Sequence, residues 1–441
     1  MRILVVSLIL WGLNAFAQNS ATIDPKHNVT TTVGNFTIHG LRSGSGGGLT
    51  NLAVAPMPSR HAYYLAPRTD GKPGSGTVND PWDTSDAGEL ERVWYGIVWN
   101  RVNIGGVSIT FLPGVYYASN QLQLANGSSN IVVSGYGARI FFTNPRIERE
   151  YTVFCSQGAN DNCTWQGFEI DCGTYAGFRK STKVCGVFAM GRCAVVRDLT
   201  IRNISSWNQT LGNGPETFGI IFAATNGICT GNIVDGISGS PIRGGTGIVI
   251  GGEGNTATGN AVNLRDTDGS DKVTSFGYSI YGNRNTFTGN TCQGVDVGIS
   301  MDGGGGVKDG TIWRDNLISG NQFIANATSV RIENNNQGFC NWTWMANNFD
   351  TKAVWLSMWT GEVWRSNKIS GHTFIGNQFN GPARSHANLI LWNATNHTFI
   401  GNQFSVPPNL SLGTNANKML GLGNTIDGVP NNAAFGVKAT Q

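Results

Sequence analysis

Asp302, Arg331 and Glu333 are residue types that do acid–base chemistry, and 31 residues separate the two carboxylates. Two carboxylic groups can divide the work on a glycosidic bond, one protonating the leaving oxygen while the other activates water or attacks directly. A guanidinium beside them can neutralise an anionic sugar. Tyr281, Ser300, Trp355 and Trp392 complete the candidate set. Aromatic faces stack on the C–H groups of pyranose rings, and hydroxyls bond to their rims. A second acidic group comprises Asp266, Asp268 and Asp271, with Asp296 further along. Its Asp-x-Asp-Gly stretch offers the oxygen ligands that calcium prefers. It lacks the remaining spacing and the final Glu of an EF-hand, so a polar loop is the plainer reading.

Residues thirty apart meet only if the backbone repeats. One turn signature does: Thr230-Gly231-Asn232, Thr258-Gly259-Asn260, Thr288-Gly289-Asn290, Ser319-Gly320-Asn321, Ala346-Asn347-Asn348, Ile375-Gly376-Asn377 and Ile400-Gly401-Asn402. Its closing asparagines recur every 25 to 31 residues, the period of a solenoid. Three positions before each asparagine, and two after it, the residues are mostly apolar, with Asp350 the exception. That is the pattern of two short strands around a tight turn. The asparagine suits a left-handed turn position, and its amide can bond its copy in the next coil. A third strand precedes each unit, as in Gly247-Ile248-Val249-Ile250 and Gly298-Ile299-Ser300-Met301. Three short strands per coil predict an all-β, single-stranded parallel β-helix. An antiparallel sandwich would instead show turns every 8 to 12 residues. Alternation then places Ser300, Asp302, Arg331, Glu333, Trp355 and Trp392 on one outward face, with Asp302 beside Glu333 and with Tyr281 flanking.

The chain resembles the pectin-lyase-like superfamily of secreted right-handed parallel β-helix proteins. The resemblance rests on the GIxI strand followed by the Asn285-Thr286-Phe287-Thr288-Gly289-Asn290 turn. It rests also on the opening segment Tyr63 to Trp82 and on Phe111-Leu112-Pro113-Gly114-Val115-Tyr116. It implies a domain over residues 63–428 acting on polysaccharide. Many pectate lyases use an arginine base on this face. By that resemblance Arg331 is the base, with Asp302 and Glu333 as calcium ligands or charge partners. The expected activity is therefore β-elimination on a uronate-containing polymer by a polysaccharide lyase. The alternatives are a glycoside hydrolase, an epimerase using Tyr281 with Arg331, and a noncatalytic carbohydrate-binding or adhesion solenoid. The Asn-Thr-Asp, Asp-Asp, Gly-His-Gly and Arg-Ile-Lys set of polygalacturonases is absent.

Bulk properties agree. The chain has 441 residues, 61 of them glycine, and charged residues make up 13%. Repeats that touch only their neighbours escape the size limit of a single core. Residues 1–17 read as a cleaved signal peptide, with Arg2, an apolar run Ile3–Leu13 and an Ala15-Phe16-Ala17 end. Secretion, extracellular or periplasmic, follows. Residues 18–62 read as an N-terminal extension and residues 429–441 as a tail. The near-neutral surface offers no footprint for nucleic acid, and nothing after the signal spans a membrane. A monomer is expected. Of eight cysteines, Cys229 and Cys292 fall at inward repeat positions. Cys155, Cys163, Cys172, Cys185 and Cys193 are expected to staple a loop-rich early coil. His372 and His397 share a repeat position and read as a structural ladder rather than metal ligands.

Overall fold

The computed structural model describes residues 21–23, 29–33, 36–39, 61–101, 106–142, 151–156, 160–171, 183–203, 216–236, 245–264, 275–302, 311–334, 338–351, 354–360, 369–381, 388–392, 394–412 and 419–430, at some strand ends by backbone alone. The chain divides into two compact units, Met1–Ser59 and Arg60–Gln441. The first contains an antiparallel sheet of Ala21–Ile23, Val29–Val33 and Phe36–His39.

The second is a parallel β-solenoid. Its first ribbon is a 14-stranded sheet running from the N-terminal strands His61–Ala66 and Trp82–Asp83 to Leu420–Leu422. Strands in its middle are three residues long, and alternation sends only the central one inward. Cys229, Ala257, Phe287, Ile318, Trp344, Phe374 and Phe399 stack this way, all fully buried. The second and third ribbons share a 22-stranded sheet, because Thr291–Asp302 and Gln322–Asn334 run through both. The second contributes Val234, Val262, Cys292, Phe323, Phe349, Phe379 and Phe404 to the core; the third contributes pairs such as Ile248/Ile250 and Ile299/Met301. Equivalent rings stack coil on coil, Phe379 on Phe404 at 4.6 Å and Phe374 on Phe399 at 4.8 Å.

Buried asparagines hold the turns between the first two ribbons. The Nδ2 of Asn232 donates to Oδ1 of Asn260 at 2.9 Å, and the link repeats through Asn290, Asn321, Asn347, Asn377, Asn402 and Asn424 at 2.9 to 3.1 Å. Each Oδ1 also accepts the backbone N–H of the preceding ladder asparagine. Each Nδ2 also donates to a carbonyl of the coil before, so the amides are satisfied in the dry interior. Two sequence expectations need correction. The left-handed residue is not the asparagine but the one before it, Gly231 at φ 64° or Ala346 at φ 52°. In the fifth unit the ladder member is Asn347, not Asn348. Alignment on Asn347 puts Trp344 and Phe349 inward, and Asp350 ceases to be an exception.

The glycine that opens the third strand lets the ribbons approach. A Cβ at Gly247 would stand 2.4 Å from Val262 Cγ1 and 2.6 Å from the Gly277 carbonyl oxygen. One helix, Ala87–Arg101, was not legible as such in the repeat pattern. Asp86 Oδ1 accepts the Glu89 N–H at 2.9 Å, an N-cap. Leu90, Val93, Trp94, Ile97 and Val98 form its buried face, and Trp94 packs on Phe111, Phe154 and Trp165. The expected staple of the early coil is not met at Cys163 or Cys193, which are unbridged, and Cys172 lies outside the described residues. Cys163 belongs to the core, and burial pushes its thiol up to about 12. His372 and His397 pack 5.3 Å apart in the core with their rings tilted by 50°, both fully buried. His372 Nδ1 accepts from Trp344 Nε1 at 3.3 Å, which makes Nε2 the donor to the Phe339 carbonyl at 3.0 Å.

Candidate functional site on the third ribbon

The outward face of the third ribbon changes character along its length. Phe188, Ile221 and Val249 are successive register partners, and Ile221 and Val249 are 8% and 1% exposed. With Cys185, Phe218 and Tyr281 they pack as a second apolar cluster on the outer side of the sheet. The same row then continues as Ser279, Ser300, Arg331, Ser357 and Ile390, each the register partner of the next. Hydroxyls and a guanidinium thus replace hydrocarbon from the coil of Ser279 to that of Ser357, and Ile390 restores it in the next. Arg331 is half-buried, and Ser300, although on the outward row, is 3% exposed.

One step along the strands lies the second row. Asp302 is the register partner of Glu333, and Glu333 of Trp359, itself partnered with Trp392. Adjacent parallel strands lie about 4.8 Å apart, so the two carboxylate-bearing residues are immediate lateral neighbours. The side chains of Asp302, Glu333, Trp359 and Trp392 lie outside the described atoms; their backbone positions are given. Tyr281 flanks the group. Its ring covers Gly251, where a Cβ would stand 3.0 Å from it, and packs 5.8 Å from the buried Trp313.

Trp355 is not on this face. It is fully buried, between Phe379 at 5.8 Å and Phe404 at 5.6 Å, and its Nε1 donates to the Asn380 carbonyl at 3.0 Å. The cause is a bulge. The register against the next strand shifts between Val354 and Leu356, so Trp355 and Leu356 both turn inward and strict alternation fails. Asp296 is a cross-strand clamp: its carboxylate accepts the Ser275 N–H at 3.0 Å, and its own N–H donates to Ser275 Oγ at 3.0 Å. Asp266, Asp268 and Asp271 lie outside the described residues. Among the described residues no three His, Cys, Asp or Glu side chains converge as metal ligands.

Alternation also places Ser279 and Ser357 on this outward row, as the register shows, but sequence reasoning missed Trp359 as a neighbour of the site. It also missed the apolar cluster that bounds it. The signal was present in Ile220-Ile221-Phe222 and Ile248-Val249-Ile250, continuous apolar runs rather than alternation, which mark a strand covered on both faces.

No protein-family profile matches the chain, and no curated protein resembles it in sequence. Solved structures do match. The tailspike protein of E. coli bacteriophage HK620, in complex with a pentasaccharide, superposes with a TM-score of 0.57 at 14% identity, over 77% of this chain and 63% of the tailspike. A double variant of that tailspike, altered at one aspartate and one glutamate and also holding the pentasaccharide, matches at 0.57 and 14% over 82% and 66%. The likeness shows the fold, and the chain spans just under two thirds of the tailspikes' length.

Proposed function

We propose that this protein is a secreted enzyme that cleaves a polysaccharide on the outward face of the third ribbon, with Asp302 and Glu333 dividing acid and base roles in hydrolysis. One observation carries the reading: the strand register makes Asp302 and Glu333 lateral neighbours, beside the Ser300–Arg331 pair, where the face turns from apolar to polar. The tailspike variants support it by analogy, since an aspartate and a glutamate were the positions altered in a relative of the same fold that holds an oligosaccharide. Hydrolysis thereby moves ahead of β-elimination, the order opposite to that expected from sequence. One carboxylic acid protonates the leaving oxygen. The other takes a proton from water, or attacks the anomeric carbon and forms a glycosyl ester that water then opens. Carboxyl groups about 5–5.5 Å apart give retention, and about 6.5–9.5 Å inversion. Side-chain reach from neighbouring strands allows either.

A second reading is favoured by Arg331, half-buried between Ser300 and Ser357 in the outward row. There it would abstract the proton beside a uronate carboxylate while the two acids, with calcium, neutralise the developing charge. One assay separates the two. Purified protein is incubated with a panel of neutral and uronate polysaccharides, with calcium and with chelator. New reducing ends without ultraviolet absorbance, insensitive to chelator, support hydrolysis. Absorbance of an unsaturated uronate, lost in chelator, supports elimination. Neither signal on any polymer refutes an enzymatic role for this face.

A further inference from the structure

A different wall of the solenoid carries a second arrangement suited to sugars. On the second ribbon the strands Gly114–Ala118, Ala138–Phe142, Glu169–Asp171 and Thr200–Arg202 are successive partners, so Tyr117, Phe141, Asp171 and Arg202 form one outward row and Arg139 and Glu169 stand in the next. Tyr117 is 43% exposed and stacks on Phe141 with ring centres 6.1 Å apart. The Arg139 guanidinium lies over the Phe141 ring at 4.4 Å, a cation–π contact. The same guanidinium is paired to Asp171, whose side chain is 4% exposed, and Arg139 Nε stands 3.3 Å from Glu169 Oε1. Arg202 reaches the same Glu169 oxygen from the next strand at 3.7 Å. The polar groups are therefore held in place before any ligand arrives, beside an open aromatic face.

We infer that this platform of Tyr117, Phe141, Arg139, Glu169 and Arg202, with the buried Asp171 fixing Arg139 from beneath, is a binding surface for an uncharged polysaccharide, separate from the third-ribbon site. Three features carry the assignment. An exposed aromatic ring offers a pyranose a stacking face, while guanidinium and carboxylate edges offer its hydroxyls both donors and acceptors. Two cations and two anions cancel, which gives no preference to an anionic polymer. The area decides against a protein partner: three rung steps by five strand residues cover about 14 by 17 Å, or about 240 Å², against about 800 Å² per side for a stable protein interface. Between the coil of Tyr117 and that of Asp302 lie six rung steps through the third ribbon, about 29 Å at ~4.8 Å each. One substrate ring cannot occupy both, and the platform serves to hold a chain or particle while the other face works.

Affinity electrophoresis of the full chain tests this, in gels containing hydroxyethylcellulose, galactomannan or polygalacturonate. The Asp302→Asn/Glu333→Gln background prevents digestion. Retardation in an uncharged gel, weakened about tenfold by Tyr117→Ala and kept by Tyr117→Phe, supports the surface. An unchanged thermal midpoint for Tyr117→Ala shows that binding and not folding was lost. Retardation indifferent to Tyr117→Ala, retardation by polygalacturonate alone, or none in any gel overturns it. Because the background already lacks the proposed catalytic carboxylates, the outcome is independent of whether that assignment stands.

Discussion

Replacing Asn321 by alanine should be among the most damaging single changes in the chain, although the side chain is small and uncharged. Asn321 Oδ1 accepts the Asn290 N–H at 2.8 Å and Asn290 Nδ2 at 3.1 Å; its own Nδ2 donates to the Phe287 carbonyl at 3.0 Å and to Asn347 Oδ1 at 2.9 Å. Alanine deletes all four bonds. Asn290 Nδ2 keeps the Ala257 carbonyl, and Asn347 Oδ1 keeps the Asn321 N–H. The Asn290 N–H loses its side-chain partner in a buried site, and the Phe287 carbonyl, which stays in the strand ladder, loses one of its acceptor bonds. An orphaned buried group costs about 1–3 kcal/mol and a lost hydrogen bond about 1 kcal/mol, so the change should cost about 3 kcal/mol. The neighbouring Gln322 is exposed, and Gln322→Ala should fall within about 0.5 kcal/mol of wild type. Asn321→Asp should be worse than alanine at neutral pH, because an anion that cannot donate would face the Phe287 carbonyl and Asn347 Oδ1. Guanidinium unfolding followed by tryptophan fluorescence compares the three. Since coils of a solenoid can unfold in part, the midpoint and the unfolding rate are read together. If Asn321→Ala behaves like Gln322→Ala, the amide ladder is not what holds the turns, and the reasoning fails.

Three other outcomes follow from the structure. Asp302→Asn or Glu333→Gln should each lower the rate of polysaccharide cleavage about 10²- to 10⁴-fold while leaving the thermal midpoint unchanged; retained activity in both would remove the pair from the mechanism. Trp355→Ala should cost about 3–5 kcal/mol of stability through the cavity beside Phe379 and Phe404 and leave polysaccharide affinity in the surviving folded protein intact; a selective loss of affinity would return Trp355 to the binding face. Burial holds His372 at about 4, from an ordinary 6.5, and His397 well below its ordinary value, so the folded state binds fewer protons than the unfolded one. The stability this gives is complete above pH 6.5 and drains away as pH falls toward the folded values. His397→Leu removes a ring whose nitrogens have no hydrogen-bond partner among the described residues and should flatten that slope between pH 6.5 and 4; an unaltered slope would show that the ring does not titrate on unfolding.

The solenoid was legible because repetition is a property of spacing, which no local propensity overrides. The adjacency of Asp302 and Glu333 came from counting positions against the asparagine, and the strand register agrees. Counting failed where the chain offers two asparagines in succession, at Asn347 and Asn348, and only the amide geometry tells which one enters the ladder. It failed again at Trp355, because a bulge sets two residue steps of one strand against one of the next and so changes which residues face inward. The helix Ala87–Arg101 lies outside the repeat, although the spacing of Leu90, Val93, Trp94, Ile97 and Val98 is helical. Ile221 and Val249 escaped notice because expectation followed the alternation of other coils rather than their own unbroken apolar runs. The acidic loop of Asp266, Asp268 and Asp271 has no periodic partner, so spacing says nothing of its geometry.

The asparagine links all run in one direction, from Nδ2 of one coil to Oδ1 of the following one. Aligned amides polarise each other, so each link strengthens those on either side. The solenoid therefore has a grammar of length. A duplicated whole coil brings its own amide and rejoins the chain of dipoles at both seams, whereas a fraction of a coil leaves a donor and an acceptor facing nothing. Growth or shortening of such a protein by gene duplication or deletion is thereby quantised in turns, and the outward face of the third ribbon lengthens one rung at a time.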